Sequence, residues 1–277
     1  MPLTLSNAAI QQFKLQFELE YQASEKLANT TNQVMNVRGD AYKIPYMGEV
    51  DSQERGAYQS MLQPEAMSIS QPSISFDNYA TMLALDTFQN HETAGDTLAS
   101  MAATLAKSTG RRCDQVKMDA LQADAGSTIA VGTTNMSVDK IKEAKSAMDE
   151  ANVDSDDRYL LVSPSQIDSL LGTDEVSNVL YNNQRTLVDG VVNSFLGFKI
   201  ITVGSYGGLT GLDKTDDTRH CLAWSKSAIW TAYSMAPSVD SQWSAAHQSW
   251  LQVARVRLGA KVAQTAGVIK IDCLETA

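Results

Sequence analysis

The stretch RYLLVSPSQIDSLLGTDEVSNVLYNNQRTLVDGVVNSFLGFKIITV, residues 158–203, decides the fold. Tyr159 to Val162 is a short apolar run of the kind that fills a buried strand. At Ser163 the pattern changes abruptly. Ser163 is placed to cap free amide groups, Pro164 sits where a missing N–H costs nothing, and Gln166 three places on completes a capping box. Ile167, Leu170 and Leu171 then supply one buried face before Gly172 ends a helix of about two turns. Asp189-Gly190 is a turn signal between Leu187-Val188 and Val191-Val192, and Phe195 to Val203 reads as a further strand.

Working outward, Ser137 caps a helix that turns Val138, Ile141, Ala144, Met148 and Ala151 inward and Lys140, Lys142, Glu143 and Lys145 largely outward. A polar turn, DEANVDSDDR, delivers the chain to the opening strand, and Ser127 to Met136 reads as a linker into this unit. From about His91 to Gln122 a stripe of Ala94, Leu98, Met101, Ala102, Leu105, Val116 and Ala120 predicts one long helix, with Gly110 as a place to bend. Val34 to Phe76 reads as two long strands joined by a polar tip at about Gly48 to Pro64, and its apolar alternation slips near Gln71-Pro72 as a bulge or an edge position would require. Such a ribbon is marginally stable by itself and must lie on something else. Before it, Ile10, Phe13, Phe17 and Tyr21 form a helical stripe over Ser6 to about Asn29, which fits an arm docked on a neighbour or on its own domain. In the closing segment Val256, Leu258, Ala260 and Val262 point one way and Arg255, Arg257 and Lys261 the other. Cys221 to Tyr233 is another apolar strand region, and Gly267 punctuates a final strand, Val268 to Ile271.

Composition excludes several classes. With 277 residues, 43% of them hydrophobic, the chain can bury a real core. Thirty-two acidic against 22 basic side chains give a formal charge of -10, which argues against a sequence-specific nucleic-acid binder. Cys113, Cys221 and Cys273 are odd in number and far apart in sequence, so neither a disulfide framework nor a metal pair is indicated. No span is long and apolar enough for a bilayer, no export signal is visible, and a soluble protein is expected. His220 and His247 lack the carboxylates of a metal site, and His91-Glu92 lacks the second histidine of a zinc-protease helix. GSYGGLTG, residues 204–211, lacks the Gly-Lys-Ser/Thr ending of a phosphate loop, and Val203 occupies the first position a nucleophile elbow would need. No catalytic residue, cofactor or metal is expected.

A strand entering Ser-Pro, a short helix closing on Leu-Leu, a Tyr-Asn segment, a Gly turn and then GFKIITVGS, preceded by an amphipathic helix and followed by RVRLGAKV and GVIKI, together resemble the major capsid proteins of tailed bacteriophages, the Hong Kong ninety-seven type. The resemblance implies an α+β fold with an N-terminal arm (1–33), an extended E-loop hairpin (34–76), a peripheral domain with its spine helix (77–126), an axial domain (127–250) and a return to the peripheral domain (251–277). It also implies contacts between subunits through Asp51, Glu54 and Arg55 at the E-loop tip. Tyr206, Gly207 and Gly208 would lie in a loop at the capsomer axis. The basic face of Arg255, Arg257 and Lys261 could meet a neighbour's acidic tip, although an ordinary solvated strand face is the simpler reading.

The function implied is a subunit that self-assembles, as hexamers and pentamers, into an icosahedral shell around double-stranded DNA. Expected partners are copies of the chain, a portal protein at one vertex, a decoration protein and packaged DNA held without sequence specificity; no membrane is involved. The segment before the hairpin leaves no room for a large fused scaffolding domain, so a separate scaffolding protein is expected. The location implied is the virion, after assembly in the host cytoplasm. Covalent self-crosslinking is not expected, because the tip has no lysine and Lys43 lies near the hairpin base. An encapsulin compartment of the same fold is the alternative.

Overall fold

The computed structural model of the chain describes residues 13–17, 25–47, 69–86, 97–172, 194–205 and 211–275. Strand β1 (Asn32–Val34) leads into a ribbon made of β2 (Ala41–Lys43) and β3 (Tyr46–Met47), which returns as β4 (Ile69–Ser70) and β5 (Ser73–Ser75); β6 (Asp77–Asp86) and helix α1 (Thr97–Ala123) follow. Next come β7 (Ser127–Ile129), α2 (Val138–Glu150), β8 (Arg158–Val162) and α3 (Pro164–Leu171). The chain closes through β9 (Ser194–Phe195), β10 (Phe198–Thr202), β11 (Lys214–Thr215), β12 (Thr218–Ser225), β13 (Ile229–Ser244), β14 (Ser249–Val262) and β15 (Val268–Leu274).

The first sheet has the order β1-β13-β14-β6. Along β14, Ala254, Val256 and Leu258 are buried while Arg255 is exposed and Arg257 half-buried, the alternation expected for a strand covered on one face. The cover is α1: Ala102, Leu105 and Ala106 pack with Val239 and Ala254, and Cys113 packs with Tyr233, Val256 and Leu258. Phe13 and Phe17 join the same cluster, so this part of the N-terminal helix docks on its own domain. The opposite face is covered near β1 by the ribbon base, where Ile44, Ile74 and Phe76 pack on Ala232. Gly259 makes this approach possible, because a Cβ there would collide with the Ser75 carbonyl and come within 2.7 Å of Ile74 Cγ2. β6 is the outermost strand and pairs with β14 in unbroken register from Asp77↔Leu258 to Asp86↔Ser249. On its outer face Met82 is 60% exposed.

The ribbon differs from the sequence reading in two ways. Val34 belongs to β1, opposite Ala232 in the sheet, and ribbon pairing starts only at Ala41. No residue is inserted at Gln71-Pro72: Lys43↔Ser73 and Tyr46↔Ser70 keep one register across the gap. What interrupts the ladder is chemistry, since Pro45 and Pro72 have no N–H to donate; Ile44 N still donates to Pro72 O at 2.9 Å.

The second sheet has seven strands in the order β7-β15-β12-β8-β10-β9, with β11 hairpinned on β12. All five residues of β8 are buried, which requires cover on both faces. Its core joins Ile141, Ala144 and Met148 of α2, Leu170 of α3, Met118 and Leu121 of α1, Leu27, and the strand residues Leu160, Leu222, Trp224 and Ile271.

Several local expectations change here. Ser163 makes no side-chain cap, and Gln166 turns into the protein instead of closing a capping box. Gly172 ends α3 in a right-handed conformation. The run Phe195–Val203 is two strands joined by a tight turn at Leu196 and Gly197, both at positive φ (51° and 89°), as a two-residue primed turn demands. The linker 127–136 contributes β7, which pairs in parallel with β15. α1 runs unbroken through Gly110. β15, expected within the return to the peripheral domain, joins the second sheet, while β13, which starts well before residue 250, lies in the first. His91 to Glu92 and the turn Asp189-Gly190 lie outside the described residues.

Replacing Gly259 by alanine would push the ribbon base off the sheet. The expected loss is about 1–3 kcal/mol, the usual cost of overpacking against backbone, read as a lower urea midpoint of dissociated subunits; an unchanged midpoint would show that the ribbon base yields freely.

Candidate functional site

Of the three places singled out from sequence, two lie outside the described residues: the tip with Asp51, Glu54 and Arg55, and the loop with Tyr206, Gly207 and Gly208. The flanks of that loop are fixed. Val203 N donates to Val162 O at 3.0 Å, and Gly211 N donates to the Gln115 side-chain oxygen on α1 at 2.9 Å. The third place, the basic stripe of β14, is occupied by partners from the same chain. Arg255 faces Asp240 at 3.7 Å, Arg257 faces Asp40 at 3.2 Å and stacks over Phe76, and Lys261 meets Asp124, just past the end of α1, at 2.8 Å. Pairs this open to water hold weakly and can exchange partners.

Sequence reasoning missed the buried polar clusters that hold these surfaces in place. Lys140, expected to point outward, is buried and donates to the carbonyls of Val131, Thr134 and Asp272 at 2.8, 2.9 and 2.9 Å. Three carbonyl acceptors meet the three N–H bonds of one ammonium, so the helix α2 is tied to the linker and to β15. Near the C-terminal end, the Glu275 carboxylate receives Arg219 Nη2 at 2.6 Å, Arg219 Nε at 3.1 Å, Ser163 Oγ at 3.0 Å and Gln166 Nε2 at 3.2 Å. Gln166 also accepts from Met136 N at 2.7 Å. The hydrogen bond from Arg219 leads in holding Glu275 down at about 2. No periodicity could announce these contacts, because Ser163 and Glu275 are far apart in the chain and meet only after both strands are in the sheet.

The chemistry present is that of fastening. His220 bonds Asp272 through Nδ1 at 2.6 Å and Thr215 through Nε2 at 3.1 Å, a satisfied histidine on paired strands. Cys221 and Cys273, distant in sequence, sit on the neighbouring strands β12 and β15, both as free buried thiols. Contact with Cys273 and then burial push the Cys221 thiol well above its ordinary value, so it is a poor nucleophile. Among the described residues no group of three or more His, Cys, Asp or Glu side chains could hold a metal ion, and no helix is long and apolar enough to cross a membrane.

A ribbon that leaves its base on one sheet, a long helix shared by two sheets and a strand–short-helix unit anchored at its end are the framework against which known proteins can be compared. The family model described as phage capsid protein matches residues 5–275. The chain belongs to the phage capsid protein family. This capsid protein has the Hong Kong ninety-seven fold. Its shape is similar to the capsid structure of cyanophage P-SCSP1u, with a TM-score of 0.70 at 16% identity over 90% of this chain and 88% of that one. It is also similar to a structure from Mycobacterium phage Che8, with a TM-score of 0.66 at 18% identity over 84% and 85%. A virus-like particle from Pyrococcus furiosus matches with a TM-score of 0.66 at 9% identity over 95% and 98%. A search of curated proteins finds no match to the sequence. As a major capsid protein the chain is a building block of the viral shell, and its site is a set of surfaces.

The Glu275 clamp gives this capsid protein an acid limit. Because the folded carboxyl is held below its ordinary value of 4.5, its contribution is present above that pH and disappears as pH falls toward about 2. Glu275→Gln is expected to cost about 1.5–3 kcal/mol at pH 7, the worth of hydrogen bonds to a charged group. Urea titrations of the two proteins should converge as pH approaches 2, and a gap that stays constant would refute the clamp.

Proposed function

We propose that this capsid protein assembles into an icosahedral shell of hexamers and pentamers that encloses the double-stranded DNA of a tailed phage. The observation that carries the reading is the family match over residues 5–275. The ribbon supports it: its base is bound to the sheet through Ile44, Ile74 and Phe76, a rigid platform from which, in this reading, residues 48–68 reach a neighbour. In this reading Asp51, Glu54 and Arg55 touch the adjacent subunit. Tyr206, Gly207 and Gly208 gather at the capsomer axis on a loop whose two ends are pinned. Arg255, with its long and open contact to Asp240, is the member of the basic stripe best placed to change partners on assembly.

The role is structural and needs no catalysis. Many modest contacts per subunit add up over a closed lattice while each remains reversible enough to correct errors. The acidic balance of the chain keeps packaged DNA from adhering to the lining. A separate scaffolding protein guides curvature, a portal occupies one vertex, a decoration protein binds outside, and assembly takes place in the host cytoplasm. The compartment alternative is less favoured, because the matching family model is that of phage capsids.

Expression of the chain alone and with the scaffolding candidate encoded beside it tests this, with negative-stain microscopy as readout. Uniform closed shells with the scaffold and irregular ones without it are expected. A small monodisperse species at every concentration would end the capsid reading; uniform shells from the chain alone would remove the scaffold; a folded enzyme inside purified particles would favour the compartment.

A further inference from the structure

The segment that carries the N-terminal region into the body is fastened to α1 by buried charges that, among the described residues, do not balance. Lys117, fully buried on α1, donates to Glu25 and to Leu27 O, the latter at 3.1 Å. One turn earlier, Asp114 accepts Lys26 N at 3.0 Å and Leu27 N at 3.1 Å. Tyr233 of β13 donates to Glu25 at 3.3 Å. Two carboxylates and one ammonium therefore share an enclosed space. The remaining cation of the segment is turned away, since Lys26 Nζ bonds Thr202 O of β10 at 3.0 Å. The groups facing Asp114 are thus Glu25 and Lys26 of the segment, Lys117 of its own helix and, through Glu25, Tyr233 of β13.

We propose that this cluster is a protonation-controlled latch, in which uptake of one proton by Asp114, beside Glu25, tightens the hold of residues 25–27 on α1 and its loss as pH rises loosens it. The geometry sets the direction. With both carboxylates ionised, the described groups carry one more negative than positive charge away from water, only partly offset by the two N–H donors on Asp114, a costly state; with one proton bound, the charges are equal. When the segment lifts away, Asp114 meets water and the constraint on its proton vanishes. Burial, against the opposing pull of Lys117, pushes the Asp114 carboxyl up to about 6. For an acid raised in the closed state, closing takes up a proton between the free and the closed value, so the latch is firmest below that window and weakens as pH rises through it.

The latch is a property of the single subunit and stands or falls separately from the shell reading, because its readout does not require particles. Amide hydrogen exchange of the peptide spanning residues 25–31 in the full-length protein, corrected for intrinsic rates, measures it directly. Protection at Lys26 and Leu27 is expected to fall about tenfold between pH 5 and 7.5. Asp114→Asn, which removes the titrating group and keeps one acceptor oxygen, should show the same protection at pH 5 and pH 7.5, removing the dependence. Should that variant fail to fold, Glu25→Gln provides the second arm: with one carboxylate left for Lys117, the transition should move to lower pH. Protection independent of pH in the natural protein, the same dependence in Asp114→Asn, or no movement in Glu25→Gln would each overturn the proposal.

Discussion

The burial of α1 between two different sheets is the constraint on which the rest of the structure depends. A helix of 27 residues is about 40 Å long at 1.5 Å per residue, longer than either sheet needs for its own cover. Its first part, around Ala102 to Cys113, packs on the sheet of β13 and β14; its last turns, with Met118 and Leu121, enter the core of the other sheet. The two sheets cannot rotate independently without opening one of these contacts. The small side chains Ala102 and Ala106 let the helix approach closely, and the N-terminal phenylalanines Phe13 and Phe17 seal the same cluster.

Around this apolar frame, the polar interior defines angles and junctions. Lys140, Lys117 and Arg158 are all buried and each reaches main-chain carbonyls, and Lys117 and Arg158 reach carboxylates as well. Arg158 at the start of β8 donates to Asp154 O at 2.9 Å, Val153 O at 2.6 Å and Asp149 at 2.6 Å, closing the turn between α2 and the strand. Removing a partner from such a group leaves a charge stranded away from water, at several times the cost of losing an apolar contact of the same size. These residues act as joints because their donors converge on acceptors from different parts of the chain.

The periodic parts of the fold were legible in the sequence and the joints were not. β8, α3, α2, α1 and the alternating face of β14 all follow from spacing, because burial on one face imposes a period. The assignment of Lys140 to the solvent side failed for the same reason: period gives the face, and a charged residue on the border of that face is drawn inward only when distant carbonyls from the linker and β15 happen to converge on it. Ser163 and Gln166 looked like a local cap, yet a carboxylate 112 residues along the chain offers Ser163 a stronger, charged acceptor. The turn at Leu196-Gly197 was hidden inside an apolar run, where a leucine at positive φ is an uncommon choice. The break in the ribbon was noticed, but its cause was a pair of prolines facing a gap and not an additional residue. Of the surfaces expected from sequence to meet neighbours, only the basic stripe is described, and there each cation has found an acid within its own chain.

The open side of β6 carries a consequence for the newly made chain. Ten residues without proline or lysine form this strand, and among the described residues no strand pairs with it on the side away from β14, an arrangement that invites cross-pairing between identical molecules. Yet the strand begins and ends with aspartate. If two copies aligned antiparallel and end to end, Asp77 of each would stand opposite Asp86 of the other, placing like charges together at both ends. The bracketing acids thus discourage amyloid-like stacking of nascent subunits while leaving the same edge compatible with a partner of different sequence.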